Sequence, residues 1–155
     1  MSFICGKYSA TLGAQALGQT ADGYRVSHQL FKRLITGDNF ADAPQDAILR
    51  GAEMFVAARL IEYNAAGALN AFWPLAATIY DMGVIGRLDT AVADSLVLTA
   101  LAATPAAAAP ATATFLLTTL AEGFPVELLF APDLREVPLR LRVYPSASGV
   151  FGTQT

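Results

Sequence analysis

Cysteine and histidine are scarce in this chain, and their scarcity removes several kinds of active site. The chain contains one cysteine, Cys5, and one histidine, His28. A single cysteine excludes an intramolecular disulfide framework and a paired-cysteine metal site. A zinc site would need several carboxylates beside these two residues, and no Asp-x-Asp or His-x-x-x-His spacing supplies them. We therefore expect no metal.

Charge is also scarce, which bears on the surface of the protein. Charged residues make up 15% of the chain and hydrophobic residues 54%, against about 25% and about 45–50% in typical globular domains. Such a composition excludes a disordered chain or a charged coiled coil. It leaves few charges to cover a free monomer, so we expect other protein to cover much of the surface. The net charge of −3 and the scattered Lys and Arg residues argue against a nucleic-acid binder.

Recognisable catalytic and ligand-binding motifs are absent. The sequence has no Gly-rich phosphate loop and no GxGxxG pattern. As a catalytic base, His28 would need a nucleophile and an orienting carboxylate nearby, and the sequence singles out neither. Asp38, Asp42 and Asp46 recur every four residues but lack the pattern of a calcium loop. We expect no enzymatic activity and no cofactor.

A membrane span is not expected either. The stretch Ser95–Ala121 carries no charge, but Pro105 and Pro110 interrupt it, whereas a spanning helix needs about 20 mostly apolar residues. We interpret it as two uncharged strands joined by a Pro/Ala elbow at 104–110. The residues before Lys7 show no basic segment followed by an apolar run, so no secretory signal is expected.

Apolar side chains alternate with polar ones along most of the chain, which predicts a single β domain over residues 1–145. A phase slip at Leu30-Phe31 indicates a β-bulge. A hairpin of the last two strands would place Val126 opposite Leu141 and Glu127 opposite Arg140 as a cross-strand ion pair. The predicted strands are Lys7–Leu12, Tyr24–Ile35, Glu53–Tyr63 (central), Ser95–Leu101, Thr112–Leu120, Phe124–Phe130 and Val137–Val143.

Three segments fall outside the alternating pattern. Residues Gly37–Leu49 are polar and acidic and are predicted to form a long loop, a kind of loop that is usually functional or disordered. Residues 65–80 have helical spacing, and Pro74 predicts a kink or a restart there. The tail Ser146–Thr155 is small and polar and is predicted to be a flexible or partner-bound C-terminal arm.

The order of these elements resembles that of bacteriophage tail tube proteins. The opening Gly6–Gly18 and the following Thr20–Val26 are similar to the first two strands of that family. Ala52–Tyr63, followed by a helix near Asn64, resembles its third strand and helix. Val137–Pro145 is similar to its last long strand.

The resemblance implies a mainly β (α+β) fold, a β-sandwich or half-barrel with one flanking helix, whose strands close a barrel in hexameric rings. The rings stack into a tube that conducts DNA without sequence-specific binding. Partners would be other copies and other phage tail or neck proteins, with no membrane, in a virion assembled in the host cytoplasm. The resemblance also implies an acidic lumen. The residues expected to contact the next ring are Asp38, Phe40, Asp42, Pro44, Asp46, Ile48 and Leu49, and the lumen candidates are Glu53, Glu62 and Glu127.

Other functions remain open at this point. A tail terminator or head–tail adaptor would use a similar fold in rings that do not stack. Another capsid or secretion-tube component is a further alternative. A small ligand-binding β-sandwich or enzyme would need polar groups converging on His28, and a lipid-binding protein would use Ser95–Ala121.

Overall fold

Strands make up most of the described part of the chain. The computed structural model describes residues 7–37, 43–61, 86–101, 110–123, 125 and 136–155. Of these, 67% lie in strands, which form one antiparallel sheet that is not closed. The mainly β class predicted from alternation is confirmed, and the sheet is consistent with a sandwich or half-barrel. The predicted helix at 65–80 and Cys5 lie outside the described residues, as do the strand at 124–130 except Pro125 and the elbow at 104–110 except Pro110.

Eight strands build the sheet, and those predicted within the described ranges are present. Their order across the sheet is β2-β1-β5-β6-β7-β4-β3, and β8 pairs with β6. A short 3-10 turn at Asp89–Ala91 precedes β5. The strands are β1 Tyr8–Leu12, β2 Gln15–Ala16, β3 Thr20–Thr36, β4 Pro44–Leu60, β5 Asp94–Ala100, β6 Thr112–Leu120, β7 Val137–Tyr144 and β8 Gly152–Gln154.

The hydrophobic core lies against one face of this sheet, which we call the core face. Strand β7 shows why, since successive side chains of a strand point to opposite faces. Its buried residues alternate with exposed or half-buried ones, so one face is apolar and the other polar. The buried cluster consists of Ala10, Leu12, Leu17, Val56, Leu60, Leu96, Leu98, Ala113, Phe115, Val137, Leu139, Leu141 and Val143.

The long loop predicted at Gly37–Leu49 is wrong over its last six residues, 44–49. Strand β4 begins at Pro44, and its register with β3 runs from Thr20 opposite Leu60 to Thr36 opposite Pro44. Proline is tolerated as the first residue of a strand, where its missing N–H does not interrupt the ladder. The polar residues that suggested a loop therefore extend a hairpin, because β3 supplies their hydrogen-bond partners.

The β-bulge predicted at Leu30-Phe31 is confirmed in position. Phe31 pairs with Gly51 whereas Lys32 pairs with Leu49, so the register shifts between them. The additional residue is Arg50, which belongs to β4 and not to β3. Side chains along β3 therefore alternate between the two faces without a break, and the one-residue slip in register lies in β4.

The predicted pairing of the last two strands is wrong at Leu141. This residue lies between Val56 of β4 and Leu120 of β6. A strand residue has only two lateral neighbours in a sheet, so Val126 does not oppose it. Glu127, the expected partner of Arg140, lies outside the described residues.

The C-terminal tail is not a flexible arm. Residues Gly152–Gln154 form β8 and pair antiparallel with Ala113–Phe115. Two further backbone hydrogen bonds join Thr155 and Thr112, at 2.9 and 3.1 Å. A Cβ on Gly152 would run into the carbonyl oxygen of Thr114, so glycine permits this close approach. Small residues without alternation gave no sign of this strand.

Candidate assembly surface

The outer part of the β3–β4 hairpin is the most exposed region that the structure describes. We call residues 26–36 of β3 and 44–52 of β4 the hairpin arm. All of its β3 residues are exposed, as are most of its β4 residues. Ten large hydrophobic residues are exposed in the described ranges, and seven of them lie on the arm. These seven are Val26, Leu30, Phe31, Leu34, Ile35, Ile48 and Leu49.

Both faces of the arm carry apolar side chains. Directly paired residues share a face, and Lys32 pairs with Leu49 while Arg33 pairs with Ile48. Leu30, Leu34 and Leu49 therefore continue the core face beyond the core. Phe31, Ile35 and Ile48 lie on the opposite side, which we call the outer face. Exposed apolar surface of this extent is typical of an interaction site.

The edges of the sheet are open within the described residues. Strand β3 forms one edge over 17 residues, and its far side has no partner strand among them. At the other edge, β2 covers only Thr11 and Leu12 of β1. Unpaired edges are templates for pairing with another chain. Arg25, Lys32 and Arg33 on β3 restrict that pairing to a partner that tolerates their charge.

The residues predicted to contact a neighbouring ring divide into two groups. Pro44, Asp46, Ile48 and Leu49 lie on the first six residues of β4 and thus on the hairpin arm. Asp38, Phe40 and Asp42 lie outside the described residues. Four of the seven predicted contact residues thus share one exposed feature, and the sequence did not predict that it is a hairpin. Their contact with a neighbouring ring stays a prediction. The only sequence feature that favours a strand there is the absence of a turn-forming residue between Ala47 and Gly51.

Glu53, a predicted lumen residue, lies in a charged cluster on the outer face. Arg142 donates a hydrogen bond to its carboxylate at 3.3 Å and others to Glu122. The hydrogen bonds from Arg142 hold the pKa of Glu122 below its usual value. The guanidinium also lies over the Phe55 ring, 4.6 Å from its centroid. Arg142 therefore compensates much of the negative charge at this point.

The other two lumen candidates, Glu62 and Glu127, lie outside the described residues. Their lining of a lumen, like that of Glu53, stays a prediction.

A second charged cluster lies at the end of the β3–β4 hairpin opposite the arm. Arg59 bonds Asp22 at 3.2 Å and Glu136 at 2.8 Å. Asp22 and Gly23 belong to an irregular stretch of β3 between Thr20 and Tyr24. Gly23 adopts φ +84°, which glycine reaches without steric cost. Asp22 and Gly23, which have the sequence of a turn, therefore form a bulge. The ion pairs of Arg59 link this bulge to β4 and to Glu136, the residue before β7.

Catalytic and ligand chemistry finds little support in the described ranges. His28 is exposed on β3 opposite Met54 and has no hydrogen bond or ion pair among the described residues. Across those same residues, no group of three His, Cys, Asp or Glu side chains could hold a metal ion. No helix within them is long and apolar enough to cross a membrane.

The sequence matches no protein-family model and no curated protein.

Proposed function

We propose that this protein is the structural subunit of a bacteriophage tail tube. In this proposal copies form homo-hexameric rings, the rings stack into a tube, and the tube conducts DNA to the host without binding a particular sequence. Its other partners are phage tail or neck proteins, and its location is the virion tail after assembly in the host cytoplasm. The hairpin arm, apolar on both faces and exposed, is the observation that carries the proposal.

The energetics of the arm favour association. Moving one Leu, Ile or Phe side chain fully out of water stabilises by about 1.5–3 kcal/mol. Six such partly exposed side chains and Val26 lie on the arm, so covering it favours association by several such increments. A free monomer leaves this surface in water, whereas a stacked assembly buries it.

The open sheet supports ring closure in the same proposal. One edge is β3 and the other is β1 with the short β2. Pairing the β3 edge of one copy with the β1 edge of the next is a heterologous contact, which closes into a ring when the rotation between copies allows. Closure removes both open edges, as it does in any barrel.

Electron microscopy and sedimentation test the proposal. We expect the wild-type protein to form rings and stacked tubes at high concentration. The double variant Leu34→Ser/Leu49→Ser should shift the protein towards single rings or monomers, since both side chains are 60% exposed on the arm. Leu88→Ser is the matched control, because Leu88 is 74% exposed and lies off the arm.

Two results would contradict the proposal. One is a wild-type protein that stays monomeric at every concentration. The other is a Leu88→Ser variant that loses stacking as fully as the arm variant does. Single rings that never stack in the wild type would instead favour a terminator or adaptor at the end of a tube.

A further inference from the structure

A shallow depression lies on the outer face where β3, β4 and β7 run side by side. Arg25 pairs with Ala57, and Ala57 pairs with Arg140 on its other side. Directly paired residues point to the same face, so two guanidinium side chains flank the methyl group of Ala57. Arg59 and Pro138 border the same depression. The small side chain of Ala57 leaves a gap between two cations.

The charges around the depression are unequally compensated. Arg59 is satisfied by Asp22 and Glu136. Arg140 lies over the Phe55 ring at 4.2 Å and has no carboxylate within 4.0 Å in the described ranges. Arg25 has neither an ion pair nor a side-chain hydrogen bond there. Two arginines that have no carboxylate within 4.0 Å among the described residues therefore border one gap, and guanidinium groups are the side chains best suited to bind a carboxylate.

We propose that this depression binds a carboxylate that a second copy of the chain carries. The inference rests on the proposed self-assembly and adds a charged contact to the apolar arm. A second copy supplies more of such groups than of cations, since Asp and Glu number 13 against 10 Lys and Arg. A nucleic-acid strand fits less well, because Asp22 and Glu136 lie close to the gap and repel a row of phosphates. An isolated carboxylate enters between them.

Two variants test the site from opposite directions. Arg25→Gln/Arg140→Gln removes both cations, and we expect the concentration needed for assembly to rise at least about tenfold. Ala57→Glu places a carboxylate between the arginines within the same chain, so it occupies the site. We expect this variant to lose assembly to a similar extent while its melting temperature stays level or rises.

The control is Arg87→Gln, since Arg87 is exposed and lies outside both the hairpin arm and the depression. It should assemble like the wild type. Raising the salt concentration should weaken wild-type assembly more than assembly of the double variant, because screening acts on the pairs that the variant lacks.

Each remaining outcome counts against the inference. If the wild type assembles and both test variants assemble equally well, the carboxylate site is wrong and the tube proposal survives. A wild type that never assembles overturns both. Binding of a short duplex DNA, measured by fluorescence anisotropy and lost in Arg25→Gln/Arg140→Gln, would assign the depression to phosphate instead.

Discussion

The two halves of strand β4 differ in their surroundings more than in their residues. Residues 54–60 lie between β3 and β7, and Val56, Ala58 and Leu60 are buried there. Residues 44–52 belong to the hairpin arm and have β3 as their one described neighbour. Ile48 and Leu49 are as apolar as Val56 and Leu60, yet they are exposed. Burial of apolar residues along one strand is thus decided by the neighbouring strands.

The largest expected effect on stability comes from truncating a leucine in the core, compared with truncating a leucine on the hairpin arm. Leu96 is fully buried on β5 and Leu34 is 60% exposed. Leu96→Ala should lower the free energy of unfolding by about 3 kcal/mol, through lost burial and a cavity. Leu34→Ala should change it by less than about 0.5 kcal/mol. Urea unfolding below the assembly concentration measures both values, and equal losses would show that the arm is packed in the monomer.

A smaller effect is expected from two glycines. Gly152→Ala should cost about 1–3 kcal/mol, because its Cβ runs into the backbone of Thr114. Gly51→Ala, on the arm, should be nearly neutral, since its Cβ would meet only Phe31 at 4.0 Å. Hydrogen exchange at Thr153 and Gln154 should speed up in the first variant alone. Unchanged protection there would mean that β8 tolerates a side chain.

The smallest effect concerns the charged cluster beside the arm. The pKa of Glu122 is lowered in the folded protein by Arg142, so the unfolded chain binds its proton more readily. The resulting stability is present above the usual Glu pKa near 4.5 and is lost as pH falls through the lowered value. Glu122 is largely exposed, which limits the contribution to about 1 kcal/mol or less.

Arg142→Gln should remove that part of the pH dependence, measured as melting temperature between about pH 3 and 7. Arg33→Gln, on the arm, should leave the profile unchanged, because Arg33 has no carboxylate partner in the described ranges. A steeper acid loss in Arg142→Gln would contradict the assignment.

The positions of strands were predictable from the sequence where one face of the strand is buried, but the strands that pair with them were not. Alternation located Thr112–Leu120 and Val137–Val143 because packing against a core imposes a period of two. The same pattern says nothing about which strand lies alongside. The hypothesis that Val137–Val143 pairs with Phe124–Phe130 chose the neighbour in sequence, whereas β7 pairs with β4 from far along the chain.

The candidate assembly surface was half predictable. Ile48 and Leu49 are apolar side chains in a polar segment, and this contrast is visible in the sequence. Their conformation escaped prediction because Pro44 and Asp46 have low strand propensity, and a long-range ladder with β3 overrides that preference. The depression between Arg25 and Arg140 could not be predicted from the sequence, because three segments that are far apart along the chain line it.

The sequence by itself determined the β class, the strand segments with a buried face and the shortage of charge. These follow from side-chain periodicity and composition, which are local. Only the tertiary structure decided that β3 and β4 extend together as an arm, that the tail returns to β6, and that Arg25 and Arg140 face each other across Ala57. Such features depend on which backbone groups meet across the sheet, and that choice is made by the whole core at once.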